Sequence, residues 1–156
     1  MNVQTNNQKG FTIIEVVLVL AIAGLIFLMV FIALPALQRS QRDTQRKQDL
    51  ARVITQVNSY QSNNRGSVPA DAALGTFQSS YLQAGGDQFK DPNGTPYTIK
   101  ALASNSTVTG TAGDGNIYYT SGVKCGDDGA VVTGQGANKV VARMLLEGGG
   151  VACDGN

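Results

Sequence analysis

The stretch QKGFTIIEVVLVLAIAGLIFLMVFIALPAL, residues 8–37, decides how the rest of the chain must be read. From Val16 to Leu37 it carries 22 residues without a charge or a strongly polar side chain. A helix of that length rises roughly 33 Å, against a bilayer hydrocarbon core of about 30 Å. The stretch therefore predicts a membrane-length helix in preference to the core helix of a soluble domain. Its one carboxylate, Glu15, stands just inside the N-terminal end, where the cost of burying a charge is lower than at mid-membrane.

On the N-terminal side lie ten polar residues, MNVQTNNQKG, with one positive charge at Lys9. A general secretory signal places a small-residue cleavage site after its apolar run. No such site follows this run, so the greasy helix is kept, and any cleavage must precede it. On the C-terminal side, QRSQRDTQRKQD (38–49) has no apolar residue, no Gly and no Pro. It reads as helix polar on all sides, bridging two compartments, with helically spaced pairs Arg39–Asp43, Asp43–Lys47 and Asp49–Arg52. Leu50, Val53, Ile54, Val57 and Tyr60 then recur on one helical face. SNNRG (62–66) supplies the stop, with Gly66 as the expected cap and Pro69 just beyond. One helix from about Phe11 to Asn64 is expected, roughly 80 Å long, with interruptions marked at Gly24 and Pro35.

Residues 66–156 change character, being rich in Gly, Ser, Thr and Asn. TPYTIKALA (95–103), NIYYTSG (116–122), AVVTG (130–134) and KVVARMLLE (139–147) are the strand candidates, the last also readable as a short helix. The turn sequences DPNG, AGDGN, CGDDG and GQGAN separate them. Short spacings suit antiparallel pairing, and the stripe from Leu50 to Tyr60 is the natural cover for one sheet face. The fold class is α+β: a long N-terminal helix packed on a small antiparallel head.

Residues 1–65 carry seven Lys/Arg and three Asp/Glu, and residues 66–156 carry five against eight. The slightly acidic head argues against nucleic-acid binding by that part. The two cysteines, Cys125 and Cys153, both lie in the head. In an exported chain an even count points to one disulfide closing a loop of about 29 residues; two unrelated thiols are the alternative.

At KGFTIIEVVLVLAIAGLIF the sequence resembles a type IV pilin precursor, with a hydrophilic leader ending in Lys9-Gly10, then Phe11, Thr12, two Ile and Glu15 before the apolar segment. The motif covers about 27 residues, and the layout of helix, small sheet and C-terminal cysteine pair agrees with it. The resemblance implies cleavage between Gly10 and Phe11 by a dedicated prepilin peptidase and N-methylation of Phe11 by the same enzyme. It implies an assembly role for Glu15 and helix loosening at Gly24 and Pro35, although Pro35 lies further from the glutamate than is usual. The division implied is leader 1–10, membrane and fibre-core helix 11–37, polar-then-amphipathic helix 38–65, and β head 66–156. Implied partners are further copies of the chain in a helical homopolymer, the peptidase, the assembly machinery, and the inner membrane before assembly. The head would lie outside the cytoplasmic membrane and later in an extracellular fibre serving motility or adhesion.

The charge of Glu15 then acquires a purpose. A carboxylate at mid-bilayer costs roughly 2.5–3.5 kcal/mol, whereas a unit pair at 4 Å and an effective dielectric near 20 gains about 4 kcal/mol. The amine freed on Phe11, offered by the same chain or by a neighbour, would relieve the acid and set axial register. The alternative is a solvated helix-start acid favoured by the macrodipole. One feature conflicts with export: five positive charges follow the helix by Arg52, and the positive-inside rule would keep them in the cytoplasm.

Other functions find little support. With no His, Ser-His and Cys-His catalysis are excluded, and two cysteines alone make no standard zinc site. GDDG and AGDGN fit no EF-hand loop, and no nucleotide-binding glycine motif occurs, so neither cofactor nor metal is expected. DPNGTPYTI (91–99) resembles a turn-to-strand segment of pilins and secretion pseudopilins, which keeps a pseudopilin of a type II secretion system as the second reading. A membrane-anchored extracellular binding module is the third.

Overall fold

The computed structural model describes residues 10–156, so the leader assigned to residues 1–10 lies, apart from Gly10, outside the described residues. Two compact units divide the chain, one ending at Gln38 and the other running from Arg39 to Asn156. The first is helical. Helix α1 (Ile13–Asn63) begins there and passes Gly24 and Pro35 without a break in its helical assignment. Its apolar side chains from Val16 to Leu37 are solvent-exposed, and it is the one helix among the described residues long and apolar enough to cross a membrane.

The second unit holds the remainder of α1 and the head. Leu50, Val53, Ile54 and Val57 are buried, and Tyr60 packs edge-on to Phe77 and Tyr81 at 5.9 and 5.5 Å between ring centroids. The helix ends one residue earlier in its cap than the sequence indicates. Gly66 N–H donates to the Gln61 carbonyl at 2.8 Å, the long bond of a Schellman cap, so the left-handed C′ residue is Arg65 (φ 56) and Gly66 follows it.

A four-stranded sheet, in the order β1-β2-β5-β6, is built from β1 (Thr98–Ala101), β2 (Asn116–Ser121), β5 (Val140–Leu145) and β6 (Val151–Gly155). β3 (Val123–Cys125) and β4 (Val131–Thr133) form a separate antiparallel hairpin. The expectation of a wholly antiparallel sheet is corrected here: β1 pairs parallel to β2, with Ile99 beside Ile117. Residues 102–115 between them are long enough to carry the chain back across, which a parallel pair requires and a tight hairpin does not. β5 is a strand, not a helix, and it is buried on both faces from Val140 to Met144. Val140, Ala142 and Met144 enter the core under α1, so Val141, Arg143 and Leu145 occupy the opposite face.

Between α1 and the sheet lies a run of short turns that no sequence pattern announces: Asp71–Ala73 (3-10), α2 (Leu74–Phe77), a π turn Gln78–Leu82, and Ala84–Gly86. It delivers Leu74, Phe77 and Leu82 into the core, where they join Phe89, Tyr97, Ile99, Ile117 and Tyr119.

Candidate functional site

Gly10, Phe11 and Thr12 precede the first turn of α1, and Phe11 is 89% exposed. Thr12 is the N-cap. Its backbone N–H and its hydroxyl both donate to Glu15 Oε2 at 2.8 Å, and Glu15 N–H lies 3.4 Å from Thr12 Oγ1. This is a reciprocal capping box, in which a hydroxyl and a carboxylate three residues apart satisfy helix-start donors. Sequence reading considered Glu15 as a helix-start acid but missed Thr12; the signal was present as the Thr-x-x-Glu spacing of residues 12–15. The box holds the Glu15 carboxylate on Thr12, the residue next to Phe11, where cleavage after Gly10 would place an amine. No added Cβ would meet an obstacle at Gly10 or Gly24.

The polar half of α1 differs from its expectation. Residues 38–49 are polar on all sides but not solvated on all sides, because Asp43 and Arg46 are buried, and Arg46 is fully so. Arg46 donates from Nε and Nη2 to the two oxygens of Asp91 at 2.6 and 2.8 Å, from Nη1 to Asp43 at 3.0 Å, and from Nη2 to Glu147 at 2.8 Å. Arg42 forks onto Glu147, and Asp43 accepts the backbone N–H groups of Glu147 and Gly148 at 2.9 and 2.7 Å. The spacings read as Arg39–Asp43, Asp43–Lys47 and Asp49–Arg52 pairs are not ion pairs; Asp43 pairs with Arg46, and Arg52 with Asp87. Surface i,i+4 pairs contribute a few tenths of a kcal/mol, so they yield to Arg46, the i,i+3 partner of Asp43 on the same helix, and to Asp87 of the head. Gly148 serves this cluster, since a Cβ there would come within 3.1 Å of Asp43 Oδ2.

The titration behaviour follows from these contacts. Hydrogen bonds from Arg42, then Arg46, hold the Glu147 carboxyl down to about 2 despite partial burial. Arg46 is pushed above the ordinary guanidinium value, mainly by its bonds to Asp91. Burial raises Asp49, against a 2.9 Å hydrogen bond donated by Tyr97. Burial also raises the Tyr97 and Tyr119 hydroxyls.

Cys125 and Cys153 form a disulfide, with Cα atoms 5.8 Å apart, joining β3 to β6 across a separation of 28 residues. The AGDGN turn is locally satisfied: Asp114 accepts the backbone and side-chain N–H groups of Asn116 at 2.8 and 2.7 Å. Among the described residues no group of three or more His, Cys, Asp or Glu is placed to hold a metal ion.

Residues 5–31 match the family model described as the prokaryotic N-terminal methylation motif. The chain carries the leader signature of type IV pilins and pseudopilins. No curated protein and no solved structure matches it. The signature spans the Gly10–Phe11 junction, the capping box and most of the exposed apolar segment, and it ends before Pro35 and the head. It supports a type IV pilin-like or pseudopilin precursor, a structural and not an enzymatic class, anchored in a membrane by the apolar part of α1. The long helix followed by a small mixed sheet is the pilin-like layout.

Proposed function

We propose that this chain is the precursor of a type IV pilus subunit, cleaved between Gly10 and Phe11, N-methylated on Phe11, and then polymerised into a surface filament. The observation that carries this reading is the capping box beside an uncovered apolar helix. Thr12 holds the Glu15 carboxylate at the helix start, next to the amine that cleavage would create. The side chains from Val16 to Leu37 need either lipid or neighbouring helices to leave water. In lipid the segment is already satisfied; in a fibre it is satisfied by other copies. An acid meeting a cationic chain end then fixes the axial step that apolar contacts leave free. Gly24, which removes a side chain, and Pro35, which removes a backbone donor, are the positions where the helix would loosen on packing.

Export of the head is part of this proposal. The positive charges that speak against it have another purpose: Arg42, Arg46 and Arg52 are each paired with carboxylates of the head. Their presence beside the apolar segment is therefore accounted for by folding as well as by topology.

The test is mass spectrometry of the native N-terminus together with filament assembly. A peptide beginning at methylated Phe11 is expected, as is loss of processing in Gly10→Val. Glu15→Ala should still be cleaved but should assemble poorly. An intact Met1 would defeat the reading, and normal filaments from Glu15→Ala would defeat the pairing mechanism. Fibres seen only on overexpression, with loss of secretion on deletion, would assign the chain to the secretion pseudopilins.

A further inference from the structure

The sheet face turned away from α1 holds a guanidinium with no counter-charge. Arg143, on β5, is 3% exposed, and no carboxylate approaches it within ion-pair distance among the described residues. Its Nη2 makes two long hydrogen bonds, 3.3 Å to Thr120 Oγ1 and 3.4 Å to the Ser106 carbonyl. Its Nε is buried and has no partner at all. A charged group buried and half-satisfied in this way is costly, and proteins retain such groups where something else completes them.

Arg143 lines a surface cleft of about 390 Å³ between the 104–108 loop and the turn that carries Asp128. That size is in the range of small-molecule sites and exceeds what a bare ion needs. Ser104, Asn105 and Thr107 bring hydroxyl and amide groups to its lining, and Val108, Val131 and Val151 bring apolar ones. The walls are anchored. The disulfide ties β3 to β6 on this side of the sheet. Gly129 (φ 75) lies so close to Val151 that a Cβ would come within 2.5 Å of it. The cleft also contains one carboxylate, Asp128, held in a left-handed backbone conformation (φ 52) and not paired with Arg143.

We propose that this cleft is a binding site for a small hydroxylated organic carboxylate of the size of a single sugar acid, its carboxylate paired with the guanidinium of Arg143. A planar guanidinium matches a carboxylate in a way that a lone ammonium does not. The hydroxyl and amide groups suit the rest of a polyol, and the valines suit the face of its ring. The site lies wholly in the head and does not depend on the filament reading.

The probe is glucuronate, titrated into the full-length protein in detergent micelles while the Arg143 Nε–Hε resonance is followed by NMR. Saturable movement of that resonance is expected with glucuronate and absent with glucose, which lacks the carboxylate. Arg143→Gln should weaken binding about tenfold or more, the scale of a lost charge-assisted pair. Asp128→Asn should tighten it by removing a like charge from the cleft. The comparison of glucuronate with glucose on the unaltered chain stands even if the Arg143 variant does not fold. A resonance that glucuronate leaves unmoved overturns the proposal. So does equal binding of acetate, inorganic phosphate and glucuronate, which would mark an unselective anion site.

Discussion

Replacing Arg46 by Met tests whether the head is held to the helix by a charge cluster or merely decorated by one. The guanidinium is fully buried, and its main partner, Asp91, has a side chain only 1% exposed. Without Arg46, Asp91 retains the Asn93 N–H at 3.0 Å and the Tyr97 hydroxyl at 3.5 Å, too little for a buried carboxylate. Glu147 keeps Arg42, and Asp43 keeps two backbone N–H groups, so the damage concentrates on Asp91. Removing one partner of a buried pair costs about 3–5 kcal/mol. For a domain of this size that is a fall in melting temperature of roughly 10–20 °C. The chain has no Trp, and its five tyrosines all lie beyond residue 59, so the tyrosine band of the near-ultraviolet circular dichroism reports the second unit alone. Asp91→Leu added to Arg46→Met should cost less than the sum of the two single changes by about 2 kcal/mol, because no uncompensated charge remains. Additivity within about 0.5 kcal/mol would show that the two groups do not act as a pair and would refute the reasoning.

Three further outcomes follow from the same contacts. Glu147 is depressed from 4.5 to about 2 in the folded chain, so its contribution is complete above pH 4.5 and is lost as pH falls toward 2. The melting temperature should drop across that window, and Glu147→Gln should flatten the drop; Asp49, whose carboxyl burial raises, acts in the opposite sense. Cys125→Ser opens a loop across a 28-residue separation and should lower stability by roughly 3–4 kcal/mol, read by urea denaturation of the oxidised and variant chains. Arg65→Gly relieves a left-handed backbone at the end of α1 and should raise stability by up to about 1 kcal/mol in the same assay.

The parts of this molecule legible in its sequence are those where one period dominates. The uninterrupted apolar run and the Leu50–Tyr60 stripe both announce helix, and the Val-rich and Tyr-rich runs announce β2 and β5. β3 and β6 went unread because they are short, each containing a cysteine and little alternation. The turns from Asp71 to Gly86 were equally opaque, since Leu74, Phe77 and Leu82 are spread among small and polar residues without a sustained helical period. The charge cluster could not be foreseen from spacing. Arg46 and Asp91 are 45 residues apart, and Arg46 and Glu147 are 101 apart, so local pairing rules pointed to the wrong neighbours. Arg143 was hidden for a related reason: strand alternation assigns it a face, but only the fold shows that the face is covered and leaves its guanidinium without an anion.

The span between Arg42 and Glu147 also sets an order of events during synthesis. The ribosome makes Arg42 early and its carboxylate 105 residues later. Until then Arg42 is bare beside the apolar segment, whereas Arg46 and Arg52 meet Asp91 and Asp87, which are made earlier. A chain truncated before Glu147 would leave Arg42 without its carboxylate, and with an undiminished electrostatic pull toward the cytoplasmic leaflet.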